Sequence, residues 1–178
     1  MQAARGTSLS PGTADGPTHT YVRVFAIVAA LTLVIDQVTK AIAVAKLQGH
    51  DSIELIPSVL SLTFLRNPGA ALSTGAGFTL VLSLVAIVVS VFVIRAASRL
   101  RDRGWAIGLG LLLGGAIGNL IDRLFREPSP LKGHVVDFID YGVFVGNVAD
   151  IALTFAAIVI VWRTWRGIRI DGTHEEAS

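Results

Sequence analysis

Two aspartates in the second half of the chain have the surroundings most suited to catalysis. Asp137 stands between Val136 and Phe138 with no adjacent cation, and Asp150 stands near the start of an apolar run. Two carboxylates held close together repel each other, so one pKa rises and the pair shares a proton. One carboxylate of such a pair can activate water while the other donates a proton, which is the chemistry of aspartic peptide hydrolysis.

Two further charged pairs offer alternative sites. Asp36 and Lys40 are four residues apart and share one helix face, which fits either a stabilising ion pair or a functional cluster. Asp122 is followed directly by Arg123, which favours the carboxylate and makes a structural role the stronger interpretation. Pairing of Asp122 with Asp150 stays open as an alternative to the first pair.

The remaining polar residues predict supporting roles or weak sites. Asn119 and Asn147 each precede an aspartate by three residues, so both could join helices and orient a carboxylate. A Ser73–Lys40 dyad is disfavoured because Asp36 competes for the lysine. The four histidines include no pair at metal-binding helical spacing, and the absence of cysteine excludes a thiolate metal site and a cysteine nucleophile.

The elements that position these residues are predicted to be membrane spans. Of 178 residues, 52% are apolar and 16% charged, and the mean hydropathy is +0.65. Soluble domains carry about 25% charged residues, so this surplus of apolar surface must face lipid. An 18-residue helix covers about 27 Å, close to the hydrocarbon thickness. We therefore expect an all-α membrane protein with four transmembrane helices, over residues 21–46, 77–94, 104–122 and 148–165.

The two ends of the chain are predicted to be tails outside a membrane domain of residues 21–165. Residues 1–20 are rich in Gly, Ser, Thr, Pro and Ala and predict a disordered cytoplasmic tail, and residues 166–178 predict a second cytoplasmic tail. A signal-peptide cleavage site after residues 43–45 is disfavoured, because two charges separate it from the apolar run and no soluble domain follows.

Arginine placement predicts the orientation. The 95–103 connection carries four arginines and the stretch after 162 carries three, whereas the 46–76 loop holds only Lys46 and Arg66. The positive-inside rule therefore places both termini in the cytoplasm and both long loops outside. Residues 53–56 and 59–66 partly alternate and favour β-branched and aromatic types, which predicts a small extracytoplasmic β element. An irregular interfacial loop is the alternative.

In this orientation every strongly polar cluster lies at the outer ends of the spans. A charge at the bilayer centre costs on the order of 2.5–3.5 kcal/mol, so these residues are functional candidates. A proton- or ion-coupled transporter is one alternative, but it would place its site near the midplane at an inverted repeat, and none is found. A non-catalytic scaffold is another, favoured if Asp137 and Asp150 lie far apart.

Five segments in sequence order resemble the lipoprotein signal peptidase family (signal peptidase II), which are bacterial aspartic membrane peptidases. The similarity covers about residues 21–165. The segments are Asp36-Gln37-Val38-Thr39-Lys40, Asn67-Pro68-Gly69-Ala70-Ala71, Gly114-Gly115-Ala116-Ile117-Gly118-Asn119-Leu120-Ile121-Asp122-Arg123, Val135-Val136-Asp137-Phe138 and Asn147-Val148-Ala149-Asp150.

The resemblance implies a specific activity and site. The family removes the signal peptide from diacylglyceryl-modified prolipoproteins just before the lipidated lipobox cysteine, and globomycin inhibits it. Its catalytic aspartates correspond to Asp137 and Asp150. Residues that support the site or bind substrate correspond to Asp36, Lys40, Asn67, Gly69, Asn119, Asp122, Arg123 and Asn147.

The resemblance also implies partners and a location. We expect no metal and no organic cofactor, prolipoprotein substrates and membrane lipid as partners, no nucleic acid, and a monomer. The expected location is the bacterial cytoplasmic (inner) membrane, with the active site at the outer leaflet. The chain departs from the family pattern at Gly146, where Phe is usual, and at Leu72, where a larger aromatic is common. Both departures affect packing around the substrate and neither removes a carboxylate.

Overall fold

The structure is a computed structural model that describes residues 20–69, 75–128 and 130–174. The predictions for the first 19 residues, for the end of the second motif at Ala70 and Ala71, and for Leu72 and Ser73 lie outside the described residues.

Four helices run the length of the molecule: α1 (Val22–Leu47), α2 (Gly75–Ala96), α3 (Arg103–Phe125) and α4 (Val148–Trp165). All four are long and apolar enough to cross a membrane. In α3 56% of the most apolar window is buried, against 17–22% in the other three helices. The prediction of a four-helix membrane protein is confirmed, with α3 as the central helix.

Glycines allow α3 to contact two helices at once. A Cβ atom added at Gly114 would lie 2.7 Å from the carbonyl oxygen of Ala29 in α1, and one added at Gly115 would lie 2.9 Å from that of Ala149 in α4. Real side chains do not tolerate such distances, so these positions require glycine where the backbones approach. This close packing brings the polar residues of α1, α3 and α4 within reach of each other.

The outer surface of the bundle is apolar. Large side chains on the peripheral helices remain open, among them Phe92 at 72% and Val88 at 67% in α2 and Val161 at 66% in α4. Such a continuous apolar surface on long helices is typical of contact with lipid.

A four-stranded antiparallel sheet covers one end of the bundle, which we call the sheet end. Its order is β1 (Ile53–Ile56), β2 (Leu60–Asn67), β3 (Val135–Asp140) and β4 (Val145–Gly146). The predicted β1–β2 hairpin is confirmed. The β element was predicted only for residues 53–56 and 59–66, but the 122–147 connection also contributes β3 and β4, and β3 pairs with β2.

The opposite end of the bundle holds the α2–α3 connection and the C-terminal segment. Asp102 caps α3, accepting a hydrogen bond from the Trp105 backbone N–H at 2.8 Å, and forms an ion pair with Arg163 of α4. Residues 166–174 turn back onto the bundle, where the indole N–H of Trp105 donates to the Ile168 carbonyl at 2.7 Å.

Candidate active site

A buried lysine organises the helical part of the site at the sheet end. The Lys40 ammonium lies 2.9 Å from Asp36 Oδ2 and 2.9 Å from Asp122 Oδ2, and it donates a hydrogen bond to Asn119 Oδ1 at 2.9 Å. The side chains of the lysine and both aspartates are fully buried. An ammonium has three donors, so all are used. Lys40 is therefore an electrostatic anchor and has no donor left for substrate.

The two aspartates that bind this lysine also hold the backbone next to the candidate catalytic pair. Asp36 Oδ1 accepts a hydrogen bond from the Ala149 backbone N–H at 2.9 Å. Asp122 Oδ2 accepts one from the Val136 backbone N–H at 3.1 Å. Ala149 and Val136 directly precede Asp150 and Asp137. Each buried carboxylate thus fixes the main chain one residue before a candidate catalytic aspartate.

Asp122 forms two ion pairs, one with Lys40 and one with Arg126, whose Nε lies 2.6 Å from Oδ1. Asp122 and Arg126 are four residues apart on one helix face, a spacing that already permits this pair in the sequence. The adjacent Arg123 is attracted to Asp122 as well. With Lys40, Arg126 and the strand backbone as its contacts, Asp122 has both carboxylate oxygens engaged, which argues against the Asp122–Asp150 alternative.

Asp137 is held by two amide groups. Its carboxylate oxygens accept hydrogen bonds from Asn67 Nδ2 and Asn147 Nδ2, each at 2.6 Å. Both amides are oriented by backbone donors, because Asn67 Oδ1 accepts from the Gly69 N–H at 2.8 Å and Asn147 Oδ1 from the Asp150 N–H at 3.1 Å. Gly69 has a φ of +103°, a conformation that favours glycine. The carboxyl group of Asp137 is therefore fixed in position.

Burial stabilises the protonated form of Asp137. The pKa of Asp137 is raised to about 6, with burial as the largest cause and the negative charge of Asp150 acting in the same direction. The hydrogen bond from Asn67, and secondarily that from Asn147, act in the opposite direction by stabilising the carboxylate. Asp137 therefore keeps its proton to a higher pH than an ordinary aspartate does.

Asp150 lies in the first turn of α4 and takes part in its N-terminal cap. The Asn147 backbone N–H donates to Asp150 Oδ2 at 3.1 Å, while the Asn147 side chain accepts from the Asp150 N–H, which together form a capping box. Asn119 Nδ2 donates to Asp150 Oδ1 at 3.0 Å. One residue, Asn147, thus contacts both candidate catalytic aspartates.

Arg123 is the charged residue beside the pair that retains bonding capacity. Its Nη1 donates to the Asn119 carbonyl at 3.2 Å, and its Nε is buried without a hydrogen-bond partner. The carboxylates of Asp150, Asp122 and Asp137, in decreasing order, attract it. An oriented guanidinium next to two carboxylates can receive a carbonyl oxygen of a bound peptide.

An aromatic turn lies beside Asp150. The rings of Tyr141 and Phe144 stack with centroids 4.8 Å apart, and they line a cavity of about 240 Å³ together with Asp150 and Phe155. A Cβ added at Gly146 would lie 3.1 Å from Asp150 Oδ2 and 3.2 Å from Phe144 Cε2. The missing side chain at 146 thus leaves room for the Phe144 ring next to the carboxylate.

All ten residues predicted for the site belong to one connected network. Asn67 and Asp137 come from β2 and β3, Gly69 follows β2, and the others come from α1, α3 and the start of α4. Sequence reasoning missed Arg126 and also Gln37, whose side chain donates to the Gly118 carbonyl at 3.1 Å. Within the described ranges, no cluster of three or more His, Asp or Glu side chains is arranged to hold a metal ion.

Comparison with known proteins points to one family. The family model of signal peptidase (SPase) II matches residues 28–166. The lipoprotein signal peptidase of Rhodococcus jostii is 44% identical over 159 residues, covering 89% of this chain and 80% of that protein. The lipoprotein signal peptidase of Bifidobacterium longum subsp. infantis is 48% identical over 147 residues, covering 83% and 81%.

Two solved structures have a similar fold. One is a bacterial membrane enzyme determined by the in meso method at 1.9 Å, with a TM-score of 0.70, 30% identity, and coverage of 82% of this chain and 94% of that one. The other is a bacterial membrane enzyme determined by the same method at 2.3 Å, with a TM-score of 0.72, 27% identity, and coverage of 89% and 97%.

Proposed function

The chain belongs to the signal peptidase II family, and we propose that it removes the signal peptides of prolipoproteins with Asp137 and Asp150 as an aspartic catalytic pair. The observation that carries this proposal is the contact of Asn147 with both carboxylates, which holds the two acids beside one another. The transporter and scaffold hypotheses find no support in this family.

The first step is attack of water on the scissile carbonyl. Ionised Asp150 removes a proton from a water molecule between the two carboxylates, and the water oxygen bonds to the carbonyl carbon. Protonated Asp137 donates its proton to the carbonyl oxygen, so the intermediate is a neutral gem-diol. Burial of Asp137 supports its assignment as the proton donor, because burial raises the pKa of this carboxyl group.

Breakdown of the intermediate restores both acids. Asp150 passes its newly gained proton to the leaving nitrogen, the carbon–nitrogen bond breaks, and a hydroxyl proton of the gem-diol returns to Asp137. The guanidinium of Arg123 binds a carbonyl of the peptide next to the scissile bond and keeps it in register. Asp137 is then protonated and Asp150 ionised again, as they were before the reaction.

The substrate lies in the membrane beside the pair. The signal peptide approaches laterally along the exposed face of α4, where Ile151 and Phe155 lead to the cavity at Asp150. Its diacylglyceryl chains stay in lipid, and cleavage occurs just before the modified cysteine. The sheet covers the reacting segment from above.

The arginines support an orientation with the sheet end outside. Residues 95–103 and 163–169 together hold seven arginines at the opposite end, so both termini lie in the cytoplasm and the active site lies at the outer leaflet of the bacterial inner membrane. In this arrangement the enzyme meets its substrates after their export has begun.

A cleavage assay with acid-to-amide variants tests the pair. Asp137→Asn and Asp150→Asn should each lower the cleavage rate by roughly 10²–10⁴-fold, because each removes one proton-transfer group. The substrate is a diacylglyceryl prolipoprotein followed by gel shift, beside its unlipidated form. Wild-type activity in either folded variant would overturn the assignment.

Two further variants serve as controls. Asp140→Asn changes an acid of the same strand whose carboxylate accepts a hydrogen bond from the Gly142 N–H at 2.8 Å, a bond that asparagine can also accept. It should retain full activity. Folded Asp122→Asn should keep measurable turnover, since Asp122 fixes the backbone and transfers no proton. Complete loss in a folded Asp122→Asn sample would favour an Asp122–Asp150 pair.

A further inference from the structure

A cavity of about 430 Å³ lies at the end of the bundle opposite to the aspartic pair. Its walls come from the connection after α2, the start of α3 and the C-terminal segment, and include Arg99, Trp105, Ile168, Arg169 and Ile170. None of these residues takes part in the proposed cleavage reaction.

The cavity wall is held in place by defined bonds. The Trp105 indole N–H donates to the Ile168 carbonyl at 2.7 Å, and the Arg101 backbone N–H donates to the Ile170 carbonyl at 3.0 Å. The Ile170 side chain packs on the apolar core that contains Leu100. A ligand therefore meets a preformed pocket, which lowers the entropic cost of binding.

Charge at this end is strongly positive. Residues 95–103 and 163–174 hold seven arginines against the two aspartates Asp102 and Asp171. Asp102 is engaged by Arg163, and the Asp171 carboxylate accepts from the backbone N–H and hydroxyl of Thr173 at 3.1 and 2.6 Å. Asp171 also lines the cavity, where its charge attracts Arg169 without an ion pair.

The two cavity arginines are therefore available for an external anion. Arg99 and Arg169 are exposed, and neither forms an ion pair with any residue of the described ranges. Guanidinium groups present paired N–H donors that match the oxygens of a phosphate. With Asp171 included, the cavity lining carries a net charge of +1, which favours a monoanion.

The surroundings place the cavity at membrane depth. Trp162 and Trp165 at the end of α4 are 49% and 81% exposed, and tryptophans at the ends of spans are typical of the membrane–water interface. The apolar atoms of Trp105, Ile168 and Ile170 form the other wall of the cavity, beside the arginines. The cavity thus combines a cationic side with an apolar side at the level of lipid headgroups.

We propose that this cavity binds a phosphate ester, with Arg99 and Arg169 on the phosphate oxygens and the Trp105 side on the attached glycerol or acyl part. The ligand is either the headgroup of an anionic lipid in the adjacent leaflet or a soluble phosphate ester. Binding joins the C-terminal segment to the α2–α3 connection and stabilises that end of the bundle.

The test uses the purified full chain in a neutral detergent, with ligand binding measured by native mass spectrometry. Phosphatidylglycerol, phosphatidylcholine with the same acyl chains, and glycerol 1-phosphate are added separately. Phosphatidylglycerol should bind about tenfold more tightly than phosphatidylcholine, a difference of the size expected from one or two arginines near a lipid phosphate. Glycerol 1-phosphate alone distinguishes the soluble source: if it binds with similar affinity, the soluble ester is the ligand.

Charge-matched variants decide whether the cavity is responsible. Arg99→Gln/Arg169→Gln should lose the preference for phosphatidylglycerol, whereas Arg23→Gln/Arg95→Gln, which removes two exposed arginines outside the cavity, should keep it. Both double variants should cleave substrate at the wild-type rate, which reports correct folding. Equal binding of phosphatidylglycerol by the two double variants would overturn the proposal. So would a wild type that binds neither phosphatidylglycerol nor glycerol 1-phosphate more tightly than phosphatidylcholine.

Discussion

At the scale of single residues, the carboxyl group of Asp137 is subject to opposing influences. Burial and the neighbouring Asp150 raise its pKa, while the amide donors of Asn67 and Asn147 lower it. Because the proposed reaction needs one proton on the pair, cleavage is lost as the pH rises through the upper pKa of that pair. The donor groups around Asp137 therefore set the alkaline limit of activity.

Asn67→Ala should move this alkaline limit to higher pH. The variant removes a hydrogen bond to the carboxylate, so the pKa of Asp137 rises by roughly one unit if the bond contributes about 1.4 kcal/mol. The measurement is the pH profile of kcat/KM, which reports the free enzyme.

Ser61→Ala on the same strand lies opposite Asp140 instead of Asp137, so it serves as the control and should keep the wild-type profile. An alkaline limit that stays in place or moves to lower pH in Asn67→Ala would show that Asp137 does not hold the essential proton.

At the scale of elements, α3 positions the site because it can approach both of its polar neighbours. A Cβ added at Gly118 would lie 2.5 Å from Asp36 Oδ2, whereas one added at Gly108 would meet only side-chain carbons of Val159 and Ile160 at 3.1 Å or more. The first contact disturbs a buried ion pair, and the second is relieved by a small shift of side chains.

Gly118→Ala should therefore destabilise the protein by about 1–3 kcal/mol, and Gly108→Ala by clearly less, since alanine also improves the helix propensity. Thermal unfolding of both variants in the same detergent measures the difference. Equal melting temperatures would mean that the α1–α3 contact near Asp36 can accommodate the added methyl group.

The four helices were predictable because lipid requires long apolar runs, which hydropathy detects directly. Strand β3 could not be predicted, because the apolar stretch around Asp137 is too short to be assigned by periodicity. Its partner β2 lies some seventy positions earlier in the chain, with Leu65 opposite Asp137. Only the folded bundle brings these two strands together.

The residues of the candidate site could be predicted from the sequence, but most of the hydrogen bonds that connect them could not. Spacing within a helix indicates which residues share a face, as for Asp36 and Lys40. The bonds from Asp36 to the Ala149 backbone and from Asp122 to the Val136 backbone join distant elements, and nothing local encodes them. The sequence interpretation therefore identified the polar residues without showing that two of them act through the main chain.

At the scale of the whole molecule, the two ends of the bundle differ in charge and in chemistry. The sheet end holds the proposed aspartic pair, and the opposite end holds the arginine-rich connection and the C-terminal segment. The proposed orientation follows from this asymmetry, and the absence of cysteine in the chain makes it directly testable.

Single cysteines at Ser52 and Ser98 should report the two sides. Ser52 is exposed just before β1, and Ser98 is exposed in the α2–α3 connection. A membrane-impermeant maleimide applied to intact spheroplasts should label Ser52→Cys fully and Ser98→Cys only after permeabilisation. The cysteine-free wild type is the background control, and the reverse labelling pattern would invert the proposed orientation.

Asn147 links the start of a helix to the proposed reaction, and this has a consequence for how the enzyme can evolve. Serine and aspartate begin helices about as well as asparagine does, but neither combines a carbonyl acceptor for the Asp150 N–H with a separate amide donor for Asp137. Selection for a stable α4 and selection for turnover therefore act on the same side chain. A substitution at this position therefore cannot improve the stability of α4 at the expense of turnover, or the reverse. Invariance of Asn147 among relatives would not reveal whether helix stability or turnover maintained it.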